Sequence, residues 1–205
     1  MSGCGHFLKA MKSPACAGRF VGWYYYFMKT ITEEYRKEQQ LLHENPAYGV
    51  ASTKFAPVVA DIMKQISPTT LTDYGAGKQR LKESLDGLGV TRYEYQPYDP
   101  AFPDYGDARP ADLVCCIDVL EHIEPKLLDN VLKELARITK GLGFFTIHMG
   151  PAGKMLSDGR NAHLIQKPTS WWLPKLCNYF EINNMQLHQV FGKGFMVIVA
   201  PKKSQ

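Results

Sequence analysis

Two acids and a histidine stand close together at the end of an apolar run. In the stretch "VCCIDVLEHIEP", Asp118, Glu121 and His122 follow four apolar residues at 114–117. Carboxylates combined with an imidazole suit a divalent ion such as magnesium, manganese or zinc. His122 could also serve as a general base without a metal. A purely structural interpretation stays open as well, in which Asp118 ends a strand while Glu121 and His122 face solvent.

The segment 149–168 carries a second group of polar residues. It is long, shows no helix or strand pattern, and follows an apolar segment that ends at His148. Long loops at the C-terminal end of a strand are common places for acceptor sites. Asn161 and His163 fall on the same side of an extended chain. We therefore predict His163, His148 and Asn161 as catalytic residues, and a loop histidine held by local hydrogen bonds is the structural alternative for His163.

A turn with two glycines lies earlier in the chain. Gly75 and Gly77 follow a short strand pattern that contains Asp73 and precede a helical pattern. Glycine lacks a Cβ, so the backbone can turn tightly there and a ligand can approach it. In open α/β sheets, ligands bind beside such turns at the carboxyl ends of strands. A nicotinamide dinucleotide site normally has the full G-x-G-x-x-G run, and Arg80 stands where its last glycine would be.

The elements that must position these residues alternate between helix and strand. The spacing of apolar residues predicts helices at 32–44, 52–66, 79–88, 126–139 and 170–180, and strands at 70–74, 92–98, 111–119, 143–148, 181–190 and 194–201. Such alternation predicts an α/β fold whose mostly parallel sheet is covered on both sides. The closing hairpin adds one antiparallel strand.

Composition restricts the classes of partner. The 205 residues, 45% of them hydrophobic, suffice for one domain with a sizeable core. Three of the 24 basic residues, Lys9, Lys12 and Arg19, stand among residues 1–27 without an acid, so residues 28–205 carry 21 basic against 20 acidic groups. A nearly neutral body gives no reason to expect extended nucleic acid as a partner. The apolar segment at 20–28 is too short to span a bilayer, so no membrane partner is expected either.

The cysteines indicate the compartment. Five cysteines are present, and Cys115 and Cys116 are adjacent within an apolar run. Successive side chains of a strand point to opposite faces, so we predict two reduced core thiols of a cytoplasmic protein. The other three cysteines lack the paired spacing of a structural zinc site.

The motifs described above resemble those of the class I S-adenosylmethionine-dependent methyltransferases. That family places an acid-x-G-x-G-x-G run after its first strand, an acid at the end of the second strand, and often D-V-L-E-H at the end of the fourth. Here the first run covers residues 73–79, with Gln79 in place of the third glycine. Asp99 is the best match to the second acid, and Glu94 is the second choice. Residues 118–122 read D-V-L-E-H, and the resemblance spans roughly residues 71–148.

The resemblance implies a Rossmann-like, doubly wound sheet of seven strands under an N-terminal helical cap. It implies that Asp73, Gly75, Gly77 and Asp118 line an S-adenosylmethionine site and that Asp99 accepts hydrogen bonds from the ribose hydroxyls, a role that suits a carboxylate. Only eleven residues, 100–110, separate Asp99 from the next strand, so we expect the second and third strand region to be shortened. The expected division is a poorly ordered extension at 1–27 and a methyltransferase domain at 28–205, with cap helices in 32–66 and the core in 67–205.

The implied function is methyl transfer to a small-molecule or sugar-like hydroxyl acceptor. Two methyltransferase groups share an acid-x-x-E-H edge that binds a metal, those of quinone pathways and those that methylate the 3′-terminal ribose of small RNAs. Their resemblance implies a metal at Glu121 and His122, with His163 completing the site. Metal-assisted RNA 2′-O-methylation is therefore an alternative. A NAD-dependent oxidoreductase and a non-catalytic binding module remain further alternatives, the latter because the third glycine is missing.

Overall fold

Six strands form one sheet in the computed structural model, which describes residues 29–202. The strands are β1 (Thr70–Tyr74), β2 (Glu94–Tyr98), β3 (Ala111–Ile117), β4 (Thr139–His148), β5 (Phe180–His188) and β6 (Gly194–Pro201). The helices are α1 (Glu33–Glu44), α2 (Ala51–Ile66), α3 (Arg80–Gly87), α4 (Leu128–Ile138) and α5 (Thr169–Cys177). The predicted extension at residues 1–27 lies outside the described residues.

The strand order is β2-β1-β3-β4-β6-β5. Strands β1, β2, β3 and β4 pair in parallel, whereas β6 is antiparallel to both of its neighbours. The predicted α/β fold, with a mostly parallel sheet and one antiparallel strand, is confirmed. Because β2 lies on one side of β1 and β3 on the other, the chain changes direction across the sheet at β1. A crevice forms at such a switch point, outside the carboxyl ends of the strands.

The expected count of seven strands is corrected to six in residues 29–202. Between β2 and β3 the chain forms only a single 3₁₀ turn, Pro103–Tyr105. A crossover to a further parallel strand needs a dozen or more residues, and this connection is too short to supply one. The shortening expected for this region is therefore a complete loss of one strand with its helix.

Two apolar layers cover the two faces of the sheet. On one face α4 buries residues that recur every three or four positions: Leu128, Val131, Leu132, Leu135 and Ile138. On the other face α2 buries a similar stripe, which packs with side chains of α3, β1 and β3. Helix α2 thus belongs to the core, and the cap expected over 32–66 is reduced to α1 and the loop that follows it.

The adjacent cysteines of β3 lie on opposite faces, as predicted. Cys115 packs in the layer of α2 and α3, and Cys116 packs in the layer of α4 and α5. Both thiols are free and fully buried, and burial raises their pKa well above the ordinary value. Within residues 29–202, the helices are all too short or too polar to cross a membrane.

Candidate active site

One cavity connects the two predicted groups of polar residues. It has a volume of about 280 Å³ and lies at the carboxyl ends of the parallel strands. The glycine turn and the carboxylates Asp73 and Asp99 line one end, His122, His148 and His163 line the other, and Asp118 lies between them. Helix α1 and the loop after it complete the wall.

The glycine turn is shaped by close contacts. A Cβ on Gly75 would lie 2.3 Å from Val119 Cγ2, and the residue has a φ of 83°. A Cβ on Gly77 would lie 2.8 Å from His43 Cε1. The Gly75 and Ala76 N–H groups donate to the Tyr98 carbonyl at the end of β2. A side chain at Gly75 would collide with Val119, and one at Gly77 would require His43 to move.

Gln79 takes the backbone conformation that a glycine would favour. Its φ of 57° and ψ of 31° are left-handed, and it precedes the first residue of α3. The family pattern has its third glycine at this position. Gln79 thus replaces the glycine of the motif without changing the shape of the turn, and its left-handed backbone is strained.

Two buried carboxylates lie beside the turn. Asp99 accepts the Gly77 N–H on one oxygen at 2.9 Å and the Ala101 N–H on the other at 2.8 Å. Asp73 accepts the Tyr95 hydroxyl at 2.5 Å, and burial raises its pKa to about 7 despite that hydrogen bond. Burial also raises the pKa of Asp99. Glu94, the second choice for the acid of β2, begins that strand, pairs with Arg109 on the surface and has no part in the cavity wall.

Asp118 directly follows β3 and has a left-handed backbone, at a φ of 52°. Its carboxylate accepts the Thr146 hydroxyl at 2.6 Å, and the same hydroxyl accepts the Asp118 N–H at 2.9 Å. Burial raises the pKa of this carboxyl. The residue lines the cavity between its two ends.

Glu121 is fully buried, and only one of its two carboxylate oxygens has a hydrogen-bond partner in the described residues. One carboxylate oxygen accepts the His148 N–H at 2.8 Å, while Oε2 has no hydrogen-bond partner in the described part of the chain. Burial raises its pKa well above the ordinary value. The interpretation in which Glu121 faces solvent is therefore wrong. A buried acceptor without a partner costs free energy, so it needs an explanation.

The rings of His122 and His163 each keep one nitrogen free. Nδ1 of His122 lies 2.9 Å from the Ala162 carbonyl, and Nδ1 of His163 lies 2.8 Å from the Gly150 carbonyl. A carbonyl only accepts, so each Nδ1 carries the proton and each Nε2 keeps its lone pair. Burial lowers the pKa of His122 to about 3 and lowers that of His163.

These three side chains are close enough together to share one metal ion. One potential ligand atom from each of Glu121, His122 and His163 lies within 4.8 Å of the others. Neutral imidazoles oriented by backbone carbonyls, beside a carboxylate with a free oxygen, form a donor set that suits a divalent ion. The residues fit the predicted metal.

Two of the predicted catalytic residues are engaged elsewhere. His148 uses both ring nitrogens: Nε2 donates to the Phe191 carbonyl at 3.1 Å, and Nδ1 accepts the Gly150 N–H at 3.1 Å. The Asn161 amide bonds the backbone of Ala152 in both directions and also accepts the His163 N–H. It holds the loop in shape and is not part of the cavity wall. Of the three, His163 alone has an unengaged ring nitrogen in the cavity.

Helix α1 is fastened over the cavity by polar contacts. The Glu124 carboxylate accepts the Thr32 N–H at 2.8 Å and the Thr32 hydroxyl at 3.0 Å. Glu38 accepts both the N–H and the hydroxyl of Ser157 in the loop that carries His163. The Tyr35 hydroxyl donates to the His122 carbonyl at 2.6 Å. The sequence pattern did not reveal these contacts, because they join positions more than 80 residues apart.

Comparison with solved structures identifies the fold. The chain is similar to the 1,6-didemethyltoxoflavin-N1-methyltransferase of Burkholderia thailandensis, whose structure holds S-adenosylhomocysteine. The match has 13% sequence identity and a TM-score of 0.60, and it covers 85% of this chain and 92% of that chain. It is also similar to the N-methyltransferase NodS of Bradyrhizobium japonicum, in complex with S-adenosylhomocysteine, with 10% identity, 84% and 100% coverage and a TM-score of 0.54. The [4+2]-cyclase SpnF matches at 13% identity, with 74% and 82% coverage and a TM-score of 0.52. No family model and no curated protein matches the sequence.

The fold is therefore that of the class I S-adenosylmethionine-dependent methyltransferases, and the expectation from the motifs is confirmed at that level. Identities of 10% to 13% say nothing about the acceptor. A cyclase among the matches also indicates that this fold alone does not decide the reaction.

Proposed function

We propose that the protein is an S-adenosylmethionine-dependent methyltransferase. The observation that carries the proposal is that three carboxylates, Asp73, Asp99 and Asp118, line the same cavity as the glycine turn. S-adenosylmethionine has a sulfonium and an ammonium group, and an acidic wall attracts both. The diphosphate of a nicotinamide dinucleotide would be repelled by the same wall. Lys154 is the one lysine or arginine of residues 29–202 in that wall.

Methyl transfer requires little further machinery. The cofactor supplies an already electrophilic methyl group, so the chain must bind it, orient an acceptor and exclude water. Asp99 is fixed by two backbone N–H groups, and each oxygen retains capacity to accept a ribose hydroxyl. Asp73 and Asp118 supply negative charge to the cavity wall. Helix α1 covers the cavity and limits solvent access.

For the acceptor, we propose a small-molecule or sugar-like hydroxyl compound bound at the histidine end of the cavity. Glu121, His122 and His163 would hold a divalent ion there. A bound divalent ion lowers the pKa of a hydroxyl that coordinates it, which makes that oxygen a better nucleophile at neutral pH. His163 and His122 keep their lone pairs for this purpose because the Gly150 and Ala162 carbonyls fix their protons on Nδ1.

The terminal ribose of an RNA is the second candidate acceptor, because it also presents hydroxyls to such a site. The same histidine cluster favours it. The nearly neutral charge of residues 28–205 argues for a small acceptor, because strong binding of a long polyanion requires an excess of basic groups.

Calorimetric titration tests the cofactor assignment. We expect the protein to bind S-adenosylmethionine and S-adenosylhomocysteine and not NAD. Asp99→Ala should weaken both about 10- to 100-fold, the value of hydrogen bonds to an ionised group. Glu94→Ala is the matched control, since it removes a carboxylate from the other end of the same strand, and should leave affinity unchanged. Binding of NAD alone, or equal affinity of the Asp99→Ala variant and the parent, would contradict the proposal.

A further inference from the structure

A buried chain of hydrogen bonds runs from the loop after α1 to the backbone of His122. The Tyr48 hydroxyl donates to Oε1 of Gln39 at 3.3 Å, and Nε2 of Gln39 donates to the Tyr35 hydroxyl at 2.7 Å. The Tyr35 hydroxyl then donates to the His122 carbonyl at 2.6 Å. Each group acts in one direction, because an amide nitrogen only donates and a carbonyl only accepts.

The direction of this chain does not change with pH. Burial raises the pKa of the Tyr35 and Tyr48 hydroxyls far above the ordinary value, so both stay protonated. Gln39 does not titrate. The Tyr35 hydroxyl proton is therefore always available to the His122 carbonyl, and Gln39 holds the oxygen in place from the other side.

His122 is thereby held on two sides. Its ring is oriented by the Ala162 carbonyl of the loop at 149–168, and its backbone is held by Tyr35 of α1. His122 belongs to a single 3₁₀ turn, Leu120–His122, which on its own fixes little of the backbone. Tyr35 has 3% of its surface exposed and Gln39 has 9%. Apolar side chains would fill this space at less desolvation cost. The polar side chains therefore indicate that the position of the His122 backbone has to be fixed by directed hydrogen bonds.

We propose that Tyr35 and Gln39 are positioning residues that set the place of His122 as a metal ligand. The inference rests on the metal part of the proposed function. The cap thus does more than cover the cavity, because its two buried side chains determine how well the Glu121, His122 and His163 site is formed. Groups that orient metal ligands typically contribute 10- to 100-fold to metal affinity. Because Tyr35 acts through the backbone, we expect the lower end of that range.

The test measures Mn²⁺ affinity by calorimetry, in parallel with affinity for S-adenosylhomocysteine. Tyr35→Phe removes only the hydroxyl and keeps the ring under Arg160, and it should weaken Mn²⁺ binding about tenfold. Gln39→Met keeps the Tyr35 hydroxyl but frees it to turn, and it should weaken Mn²⁺ binding in the same direction. Gln40→Met is the matched control, because Gln40 donates to the Ala101 carbonyl and takes no part in the hydrogen bonds that lead to His122. It should bind Mn²⁺ as the parent does.

Tyr35 and Gln39 also line the cavity, so the inference stands if both variants lose severalfold more affinity for Mn²⁺ than for S-adenosylhomocysteine. Visible absorption of the Co²⁺-loaded protein should change in Tyr35→Phe, because the position of one ligand changes. Parent-like Mn²⁺ affinity in both variants would overturn it. So would an equal loss of both affinities, which indicates a collapsed cap. A parent that binds S-adenosylhomocysteine but no Mn²⁺ would remove the inference together with the metal site, and would leave the cofactor assignment intact.

Discussion

Asp73 should make cofactor binding depend on pH near neutrality. It is buried in the cavity wall, and its carboxyl has a pKa of about 7. The groups facing it are the Tyr95 hydroxyl, whose hydrogen bond lowers this pKa, and the Asp99 carboxyl, which raises it. The Cys115 thiol, neutral at this pH because of its burial, lies on the neighbouring strand. A cationic cofactor binds the ionised form of Asp73 better than the protonated form.

The size of the effect follows from the ionised fraction. With a pKa of about 7, Asp73 is roughly 10% ionised at pH 6 and roughly 90% ionised at pH 8. If the cofactor requires the ionised form, its affinity rises about ninefold over that range, or about 1.3 kcal/mol. Binding at pH 7 should release about half a proton, which calorimetry in buffers of different ionisation enthalpy measures directly.

The stability of the free protein should show the opposite trend. The folded state raises the pKa of Asp73 from 3.8 to about 7, so the folded state binds this proton more tightly than the unfolded state. This contribution to stability is complete below about pH 4 and is lost as pH rises through 7. The increase in melting temperature caused by S-adenosylmethionine should accordingly be larger at pH 8 than at pH 6.

Tyr95→Phe provides the perturbation. It removes the hydrogen bond that favours the ionised form, so the midpoint should move upward by roughly one to two pH units and affinity at pH 7 should fall. Tyr93→Phe is the control, because the buried Tyr93 hydroxyl has no hydrogen-bond partner in residues 29–202. 5′-Methylthioadenosine, which lacks both positive groups, should bind without this pH dependence. An S-adenosylmethionine affinity that is constant from pH 6 to 8 would refute the assignment of Asp73 as the counter-charge.

Two further predictions concern the metal site and the glycine turn. Glu121→Gln keeps the volume of the side chain but removes the charge, so Mn²⁺ affinity should fall at least about tenfold with unchanged S-adenosylhomocysteine affinity. Glu134→Gln is the control, because Glu134 lies outside the cavity wall. Parent-like Mn²⁺ binding in Glu121→Gln would exclude this residue as a ligand. Gln79→Gly relieves a left-handed backbone and should raise the free energy of unfolding in urea by about 1 kcal/mol. Glu83→Gly, in the body of α3, should lower it by a similar amount, and a decrease in both variants would show that Gln79 is not strained.

Local pattern was sufficient for the fold and for the place of the site. The apolar stripes of α2 and α4 and the apolar run of β3 follow directly from their periodicity, and Asp118 had to lie at a carboxyl edge because it ends a buried parallel strand. The family pattern predicts seven strands, but the eleven residues between Asp99 and β3 are too few for a further strand with its helix. The position of α2 before β1 does not indicate which surface its apolar stripe covers, so its place in the core could not be predicted from the sequence.

The roles of individual side chains required three-dimensional contacts. Asn161 and His163 look equally suitable in an extended chain, yet Asn161 bonds its own loop while His163 keeps a free nitrogen. The difference arises from the turn that returns Ala152 to Asn161, and no local pattern encodes it. Tyr35 and Gln39 read as an ordinary helix face for the same reason, since their partner His122 is more than 80 residues away.

The half-satisfied Glu121 also bears on whether this chain is a catalyst or a degenerate binding module. An acceptor left unpaired at zero exposure costs about 1–3 kcal/mol. The same carboxylate has two neutral imidazoles close to it, and each ring is oriented by a separate backbone carbonyl. The unpaired Glu121 oxygen is kept together with two imidazoles that could share a ligand with it. This combination indicates a binding site, which favours a working enzyme over a degenerate binding module.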